Sequence, residues 1–235
     1  MGLILVFLFF YLIYYYKVVL KINIDFKSFF RKGFKPFKSM YGLYCYTGKQ
    51  GSGKTYSAVK FCIDRKLETN CKIITNVTSF NIFTDTVFIT DISELITYVL
   101  KLYEEEENPN IIIFFDEIFT ILTKNTKIRE DILSFISQLR KRGICFITTA
   151  QEWLEINVTF RRYVKYHCAS RMLSVFNNAV VINSIEDGEQ LKWSKDDNEY
   201  IAPIIATKIS KGNKSVVESY DTFETVKVTN KGGVR

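Results

Sequence analysis

Eight consecutive residues have the types and the spacing that can hold a nucleoside triphosphate. They match the phosphate-binding pattern G-x-x-x-x-G-K-S/T in full and are Gly48, Lys49, Gln50, Gly51, Ser52, Gly53, Lys54 and Thr55. Glycines in this pattern let backbone N–H groups turn towards a phosphate, and the helix that follows adds the partial positive charge of its N-terminus. Lys54 can reach the β- and γ-phosphates, and the Thr55 hydroxyl can ligate Mg²⁺. The motif therefore predicts a triphosphate site with magnesium.

An acidic pair, Asp116 and Glu117, directly follows the apolar run Ile111–Phe115. A carboxylate at the end of such a strand can hold magnesium through water, so Asp116 is the second candidate metal residue. A carboxylate beside it can orient and deprotonate a water molecule, which makes Glu117 the candidate catalytic base. This second acid favours hydrolysis over transfer of the phosphate to another substrate. The alternative is an acidic pair that merely ends a strand at the surface.

A glutamine, Gln151, follows the next apolar run, Ile144–Thr149. Its strand is expected to lie between the strand of Asp116 and the strand before the phosphate loop. From there the side chain could bind the γ-phosphate or the attacking water. A glutamine at a strand end is common for other reasons, so the interpretation depends on its order after both other motifs.

The residues around these motifs alternate between strand and helix patterns. Short continuous apolar runs are typical of buried strands in a parallel sheet, and apolar residues at helical spacing predict helices. The predicted strands are Leu43–Thr47, Cys71–Val77, Val87–Thr90, Ile111–Phe115 and Ile144–Thr149. The predicted helices are Thr55–Arg65, a helix from the N-cap Asp91 through Leu102, and Ile128–Arg142, which Gly143 ends. We therefore expect a three-layer α/β sandwich with a mostly parallel sheet over residues 41–235.

The N-terminal residues 1–21 have the pattern of a membrane anchor. Leu3–Tyr16 carries no charge, and residues 18–20 extend the apolar run past Lys17. Eighteen helical residues span roughly 27 Å, close to the thickness of a hydrocarbon core. A cleaved signal peptide would need basic residues before the run and a small-residue cleavage site after it, and neither is present. The other alternative is an apolar helix that packs on a partner protein.

The positive charge of the chain is concentrated next to this run. The net charge is +7, and residues 1–40 hold seven basic residues against Asp25, so the rest has 25 basic and 24 acidic residues. The positive-inside rule then places the body on the cytoplasmic side of a membrane, with residues 22–40 as a basic, aromatic juxtamembrane segment. A nucleic-acid surface on the body would have to be a local patch.

The composition excludes several other classes of protein. A hydrophobic fraction of 47% and only 3 Pro exclude a disordered chain. Five cysteines without a C-x-x-C pair argue against a disulfide framework or a zinc ribbon. The single histidine, His167, leaves little for a histidine-rich metal site or a histidine-based triad, and we expect both it and Trp153 to be packing residues.

The segments GKQGSGKT, IIIFFDE and ITTAQ, with LRKRG before the last and FRRY after it, resemble the HerA/FtsK superfamily of P-loop ATPases. The chain looks most like the genome-packaging ATPases of membrane-containing viruses, over about Tyr44–Tyr166. Residues 219–224 are also similar to the ends of phage ATPases of this kind. The neighbouring Zot-like assembly ATPases of filamentous phages share the motif order but usually carry their membrane segment after the ATPase domain. The resemblance implies a RecA-like (ASCE) P-loop fold with ATP and Mg²⁺ as ligands.

The same resemblance implies a homo-oligomeric ring, a hexamer, with ATP between subunits and DNA in the central channel. Such a ring needs an arginine that reaches the γ-phosphate of the neighbouring subunit. Arg162 is the preferred candidate, and Arg161, Arg140 and Arg142 are alternatives. These residues, with Lys165, could instead form a solvated basic face or contact DNA phosphates. Any DNA contact would be independent of sequence.

Three functions follow as hypotheses. The first is an ATP-driven DNA translocase that packages a viral genome, with capsid proteins as partners, in the cytoplasmic or the virion membrane. The second is a Zot-like membrane ATPase that assembles or secretes filamentous phage. The third is a membrane scaffold that binds nucleotide without hydrolysing it.

Overall fold

The computed structural model describes residues 2–15, 22–24, 41–120, 122–123, 125, 127–175, 178–190, 192–194 and 199–221. Most of the predicted juxtamembrane segment lies outside these residues, as do the end of the predicted anchor and the last residues of the 219–224 stretch. Within the described chain all five cysteines are buried and free, as their spacing predicts.

Helices follow β2, β4 and β5, and strands dominate the chain after β6. The strands are β1 (Ile22–Ile24), β2 (Gly42–Thr47), β3 (Lys72–Thr75), β4 (Val87–Phe88), β5 (Ile111–Phe115), β6 (Cys145–Ala150), β7 (Val164–Val175), β8 (Asn178–Asp187), β9 (Lys192–Ser194), β10 (Glu199–Ile201) and β11 (Ile204–Lys211). The α-helices are α1 (Gly2–Tyr14), α2 (Lys54–Thr69), α3 (Ile92–Glu105), α4 (Glu130–Gln138), α5 (Val158–Arg161) and α6 (Lys214–Val217). The five strands predicted from the sequence correspond to β2 through β6.

Nine of the described strands form one sheet in the order β1-β11-β8-β7-β2-β6-β5-β3-β4. The six strands from β7 to β4 are parallel to one another. β8 runs antiparallel to both β7 and β11, and β1 is parallel to β11. The mostly parallel sheet is therefore confirmed. The three predicted motifs follow the carboxyl ends of β2, β5 and β6. Because β6 lies between β2 and β5, these three strand ends are neighbours.

Helices cover both faces of the sheet, which confirms the three layers. One face packs against α2 through residues such as Ile112, Phe114 and Ile147. The other face packs against α3 and α4 through Ile113, Phe115 and other buried side chains. β5 is buried at all five positions, which is why its sequence is continuously apolar and not alternating.

All three predicted helices have different ends in the structure, and α3 continues past the predicted Leu102 to Glu105. α2 continues to Thr69 and ends at Asn70, which has a left-handed backbone (φ 49°). α4 is shorter than the predicted 128–142, because the chain after Gln138 tightens into turns that lead to Gly143. Gly143 has a φ of 65°, so it still supplies the left-handed residue expected at the stop.

The apolar N-terminal run forms α1, a helix of 13 residues. Among the residues that the structure describes, no helix is both long and apolar enough to cross a membrane. Residues 16–21, where the predicted span would end, lie outside the described residues. The three residues of β1, in the predicted juxtamembrane segment, pair with β11 at the edge of the sheet. The membrane anchor stays a prediction.

Asp91 begins α3 as the sequence predicts, because its carboxylate accepts hydrogen bonds from the backbone N–H groups of Ser93 (2.8 Å) and Glu94 (3.1 Å). We expect Asp91→Ala to lower the free energy of unfolding by about 1 kcal/mol, since two N–H groups at the helix start lose their acceptor. Asp91→Asn keeps an acceptor oxygen and should retain most of the stability. Urea titration of the three proteins measures the effect, and equal stability of the alanine variant would contradict it.

Candidate active site

The phosphate loop connects β2 to α2, which is the predicted strand–loop–helix context. Gly48 and Gly53 have φ values of 150° and 85°, which residues with a Cβ atom rarely adopt. A Cβ atom at Gly48 would lie 2.6 Å from the backbone oxygen of Ser170 and closer still to Ser52 Oγ. The loop thus needs glycine at these places to bring its backbone N–H groups around a phosphate. Lys54, the first residue of α2, is buried.

The predicted metal residues lie together at the edge of the sheet. Thr55 Oγ1 is 3.5 Å from Asp116 Oδ2, although the two residues are 61 positions apart. Asp116 is almost fully buried, and this loss of solvent raises the pKa of its carboxyl group to about 6. A hydrogen bond from Thr149 and the charge of Lys54 oppose the rise. The carboxylate is therefore costly to leave buried alone, and a cation beside it would stabilise the charged form.

Two side chains that the sequence analysis did not single out hold Asp116 in place. Asn76 Nδ2 donates to the backbone oxygen of Asp116 (3.0 Å), and the Asp116 N–H donates back to Asn76 Oδ1 (2.8 Å). The Thr149 hydroxyl donates to Asp116 Oδ1 and accepts from the N–H of Glu117 (2.9 Å). Because Asn76 follows β3 and Thr149 lies in β6, the strands on both sides of β5 fix the acidic pair. Thr149 lies within the quoted ITTAQ run, but nothing in the sequence marks Asn76.

Glu117 has a left-handed backbone, with a φ of 54°. This conformation is uncommon for a residue with a Cβ atom, and such outliers gather at functional sites. Its N–H is held by Thr149, and its carbonyl oxygen accepts from both the N–H (3.1 Å) and the hydroxyl (2.9 Å) of Thr120. Hydrogen bonds with these two threonines therefore stabilise the left-handed backbone at Glu117.

Gln151 lies where the sequence predicts, after β6 and between the other two motifs. Its backbone oxygen accepts a hydrogen bond from the N–H of Gly48 (3.2 Å), so the turn at Gln151 is tied to the first residue of the phosphate loop. Its side chain is exposed. The position leaves the amide free to bind a phosphate or a water molecule above the strand ends.

The arginine candidates lie in different surroundings. Arg142 donates to Gln138 Oε1 and packs over Tyr103, and Arg161 packs over Trp153. Arg162 is exposed and lines a shallow basic pocket with Arg140 near Gly42. This pocket is at the start of β2, whereas the phosphate loop follows its end. Arg162 therefore cannot reach the nucleotide of its own subunit, and its action on a neighbouring subunit stays a prediction.

His167 is buried and has two hydrogen-bonded partners on adjacent strands. Its Nδ1 lies 2.7 Å from Glu186 Oε2, and its Nε2 lies 2.6 Å from Thr47 Oγ1. Since a carboxylate only accepts, the ring donates from Nδ1 to Glu186. Trp153 stacks on the ring, with the centroids 4.2 Å apart. Since it contacts both His167 and Arg161, Trp153 is a packing residue, as the sequence analysis expects.

The oxygen atoms at the site fit a magnesium ion. Among the described residues, no group of three or more His, Cys, Asp and Glu side chains could hold a metal. Mg²⁺ needs no such group, because it is usually bound by one or two protein oxygens, waters and substrate phosphates. Thr55 can supply one such oxygen, and the buried Asp116 can hold a water ligand of the ion.

The fold and the loop define a P-loop nucleotide-binding protein, and sequence comparison identifies the family. The sequence profile described as zonular occludens toxin (Zot) matches residues 42–176, which is 135 of 235 residues. The chain therefore belongs to the Zot family. The match includes the phosphate loop, the acidic pair and Gln151. No curated protein matches the chain significantly in sequence.

Several solved structures are similar to the chain, and the first of those that follow shares its fold. The N-terminal domain of zonular occludens toxin from Neisseria meningitidis is 19% identical, with a TM-score of 0.52 over 77% of this chain and 100% of that domain. The genome packaging NTPase of Sulfolobus turreted icosahedral virus 2, in complex with sulfate, is 12% identical, with a TM-score of 0.49 over 74% and 97% of the two chains. A KaiC-like protein from Pyrococcus horikoshii is 16% identical, with a TM-score of 0.47 over 76% and 97%.

Thr149→Val replaces the hydroxyl that holds both acidic residues with a methyl group of similar size. We expect binding of a magnesium–nucleotide complex to weaken by roughly tenfold to a hundredfold, since a hydrogen bond to a charged group is lost. Thr148→Val is the matched control, because its buried hydroxyl donates only to the backbone oxygen of Phe115 (2.8 Å). Titration with a nonhydrolysable ATP analogue measures the effect, and equal affinities for the two variants would contradict it.

His167→Phe should keep the ring stacking with Trp153 but leave the Thr47 hydroxyl and the Glu186 carboxylate without this partner. We expect the free energy of unfolding to fall by about 2 kcal/mol. His167→Gln, which can donate and accept, should lose less. Urea titration compares the variants, and a glutamine variant less stable than the phenylalanine variant would show that packing outweighs the hydrogen bonds.

Proposed function

We propose that this chain hydrolyses ATP with Mg²⁺ and uses the energy to move DNA. One observation carries the hydrolytic part of the proposal. The buried Asp116 carboxylate is held 3.5 Å from Thr55 Oγ1, at the point where the phosphate loop enters α2. A metal-binding carboxylate and a phosphate loop in this relation favour nucleotide hydrolysis over a purely structural role.

The loop itself has an unmet hydrogen-bonding group that a phosphate would satisfy. The hydroxyl oxygen of Ser52 is buried and has no hydrogen-bond partner among the described residues. Unpartnered buried hydroxyls are rare, because each costs free energy that a partner would recover. A phosphate oxygen bound in the loop would supply that partner. The loop residues 48–55 therefore fit a triphosphate.

Each site residue has one part in the proposed reaction. Lys54 and the N-terminus of α2 bind the β- and γ-phosphates and stabilise their charge in the transition state. Thr55 and Asp116 would hold Mg²⁺, which supplies charge neutralisation at the phosphates when bound. Glu117 orients a water molecule and takes its proton, and Gln151 binds the γ-phosphate or that water. Arg162 of one subunit would contact the γ-phosphate bound by the next.

Membership of the Zot family favours one of the three hypotheses for the wider role. We propose a membrane-bound ATPase that drives assembly or secretion of filamentous phage, with DNA passing through a ring of subunits, six in the simplest case. Packaging of a genome into a capsid is the second candidate, because the motifs also resemble packaging ATPases within the HerA/FtsK superfamily. The anchor at residues 1–21, with the body on the cytoplasmic side, belongs to either proposal.

Glu117→Gln tests hydrolysis most directly. We expect ATP turnover of the full-length protein to fall by a hundredfold or more, since the group that accepts the proton of water is lost, while ATP binding remains. Lys54→Ala should lose binding as well. Glu68→Gln, at the exposed end of α2, removes a carboxylate away from the site and should hydrolyse ATP normally. Turnover of Glu117→Gln equal to that of the unchanged protein would instead support the nucleotide-binding scaffold.

DNA should increase the rate of hydrolysis whatever its sequence. The increase should shrink as salt concentration rises, because contacts with phosphates release counterions. The genes beside this one separate the two wider roles. A short helical coat protein would favour phage extrusion, and a capsid protein with a jelly-roll pattern would favour packaging. A rate that no DNA changes would contradict both.

A further inference from the structure

The hairpin of β7 and β8 extends beyond the end of β2, the strand that the phosphate loop follows. The last pair between β2 and β7 joins Thr47 to Ala169, and β7 then continues to Val175. β8 accompanies it throughout, from the pair Ser170–Asn183 to the pair Val175–Asn178. Six residues of β7, 170–175, therefore extend beyond its last pair with β2, beside the loop.

The part of the hairpin nearest to β2 packs against the phosphate loop and α2. A Cβ atom at Gly53 would lie 3.2 Å from both Met172 Cε and Val181 Cγ1, so the hairpin is packed against the loop. Asn183 Oδ1 accepts hydrogen bonds from Ser57 in α2 (3.1 Å) and from Ser170 (2.8 Å). The hairpin and the loop thus form one wall of a single site.

One face of the hairpin is directed towards the phosphate loop, and the other is directed away from it. Side chains alternate along a strand, so Met172 is on the same face as Ser170, which is the face towards Gly53. Arg171 and Leu173 are on the opposite face. Met172 is 39% exposed, although its methyl group packs near the loop, so part of its side chain remains available to a ligand.

The order of the strands indicates on which side of the loop the nucleoside would lie. Asp116, Glu117 and Gln151 follow β5 and β6, so in the proposed site the γ-phosphate would lie on that side of the loop. A triphosphate bound along the loop would then place its nucleoside on the side away from these residues. In the sheet order, that side is occupied by β7 and β8. The face of Met172 is the nearest surface beyond Gly53.

We propose that Met172 forms a nucleoside shelf, an apolar contact for the base or ribose of the bound nucleotide. The inference rests on the proposed triphosphate site. A thioether is polarizable and packs well against the face of an aromatic ring. It offers no hydrogen-bond donor, so the shelf adds affinity for a nucleoside without reading the edge of the base. Met172 is therefore a binding residue for the nucleoside and has no part in cleavage of the phosphate.

The test compares two ligands that differ only by the nucleoside. The dissociation constants of a nonhydrolysable ATP analogue and of inorganic tripolyphosphate, each with Mg²⁺, are measured for the full-length protein, for Met172→Ala and for Leu173→Ala. Met172→Ala should weaken binding of the analogue about three- to tenfold and leave tripolyphosphate binding unchanged. Leu173→Ala, the adjacent exposed residue on the other face, should change neither.

The other outcomes overturn the shelf. Unchanged binding of the analogue by Met172→Ala would show that the side chain makes no contact with the nucleoside. Equal weakening of both ligands would show that Met172 acts only by supporting the loop, and equal effects in the two variants would show that the face does not matter. If the unchanged protein binds neither ligand, the proposed function fails, and the shelf fails with it.

Discussion

The site depends on the confinement of one buried carboxylate. Asp116 has no freedom to move away from the phosphate loop, because Asn76 holds its backbone from one neighbouring strand and Thr149 holds its side chain from the other. Burial alone favours the neutral form of its carboxyl group, which is why the pKa of this group is raised. A cation beside Thr55 would stabilise the charged form of the carboxylate. A pre-positioned carboxylate in a poorly solvated place is what tight binding of a hydrated metal requires.

The order of the strands brings the other two motifs next to this carboxylate. With β6 between β2 and β5, three loops meet at the carboxyl ends of these strands. The roles that we propose for them are phosphate binding, metal and water activation, and contact with the γ-phosphate or the attacking water. The backbone bond from Gly48 to Gln151 links the first and the last of these. On the other side, the β7–β8 hairpin extends the wall of the loop. In the site that we propose, the phosphates would lie near Asp116 and the nucleoside near Met172.

The sequence was sufficient for the parts of the site that are contiguous. The loop 48–55 and the pair after β5 need particular residue types at fixed spacing, so their chemistry is visible without the fold. Asn76, Ser170 and Asn183 were missed because an isolated polar residue carries no pattern, and only the sheet brings it to the site. The end of α4 was misjudged because its apolar spacing continues into turns that keep Leu139 buried. The membrane anchor, the ring and the role of Arg162 depend on surroundings that one described chain does not contain.

A crystal structure of the full-length protein with a nonhydrolysable ATP analogue and Mg²⁺ tests the central claim most directly. The account predicts a metal ion bound to Thr55 Oγ1, with the Asp116 carboxylate on one of its water ligands and Asn76 and Thr149 in unchanged contact with Asp116. Glu117 should face a water molecule in line with the γ-phosphate. A nucleotide bound away from residues 48–55, or an Asp116 side chain turned away from the metal, would contradict the account.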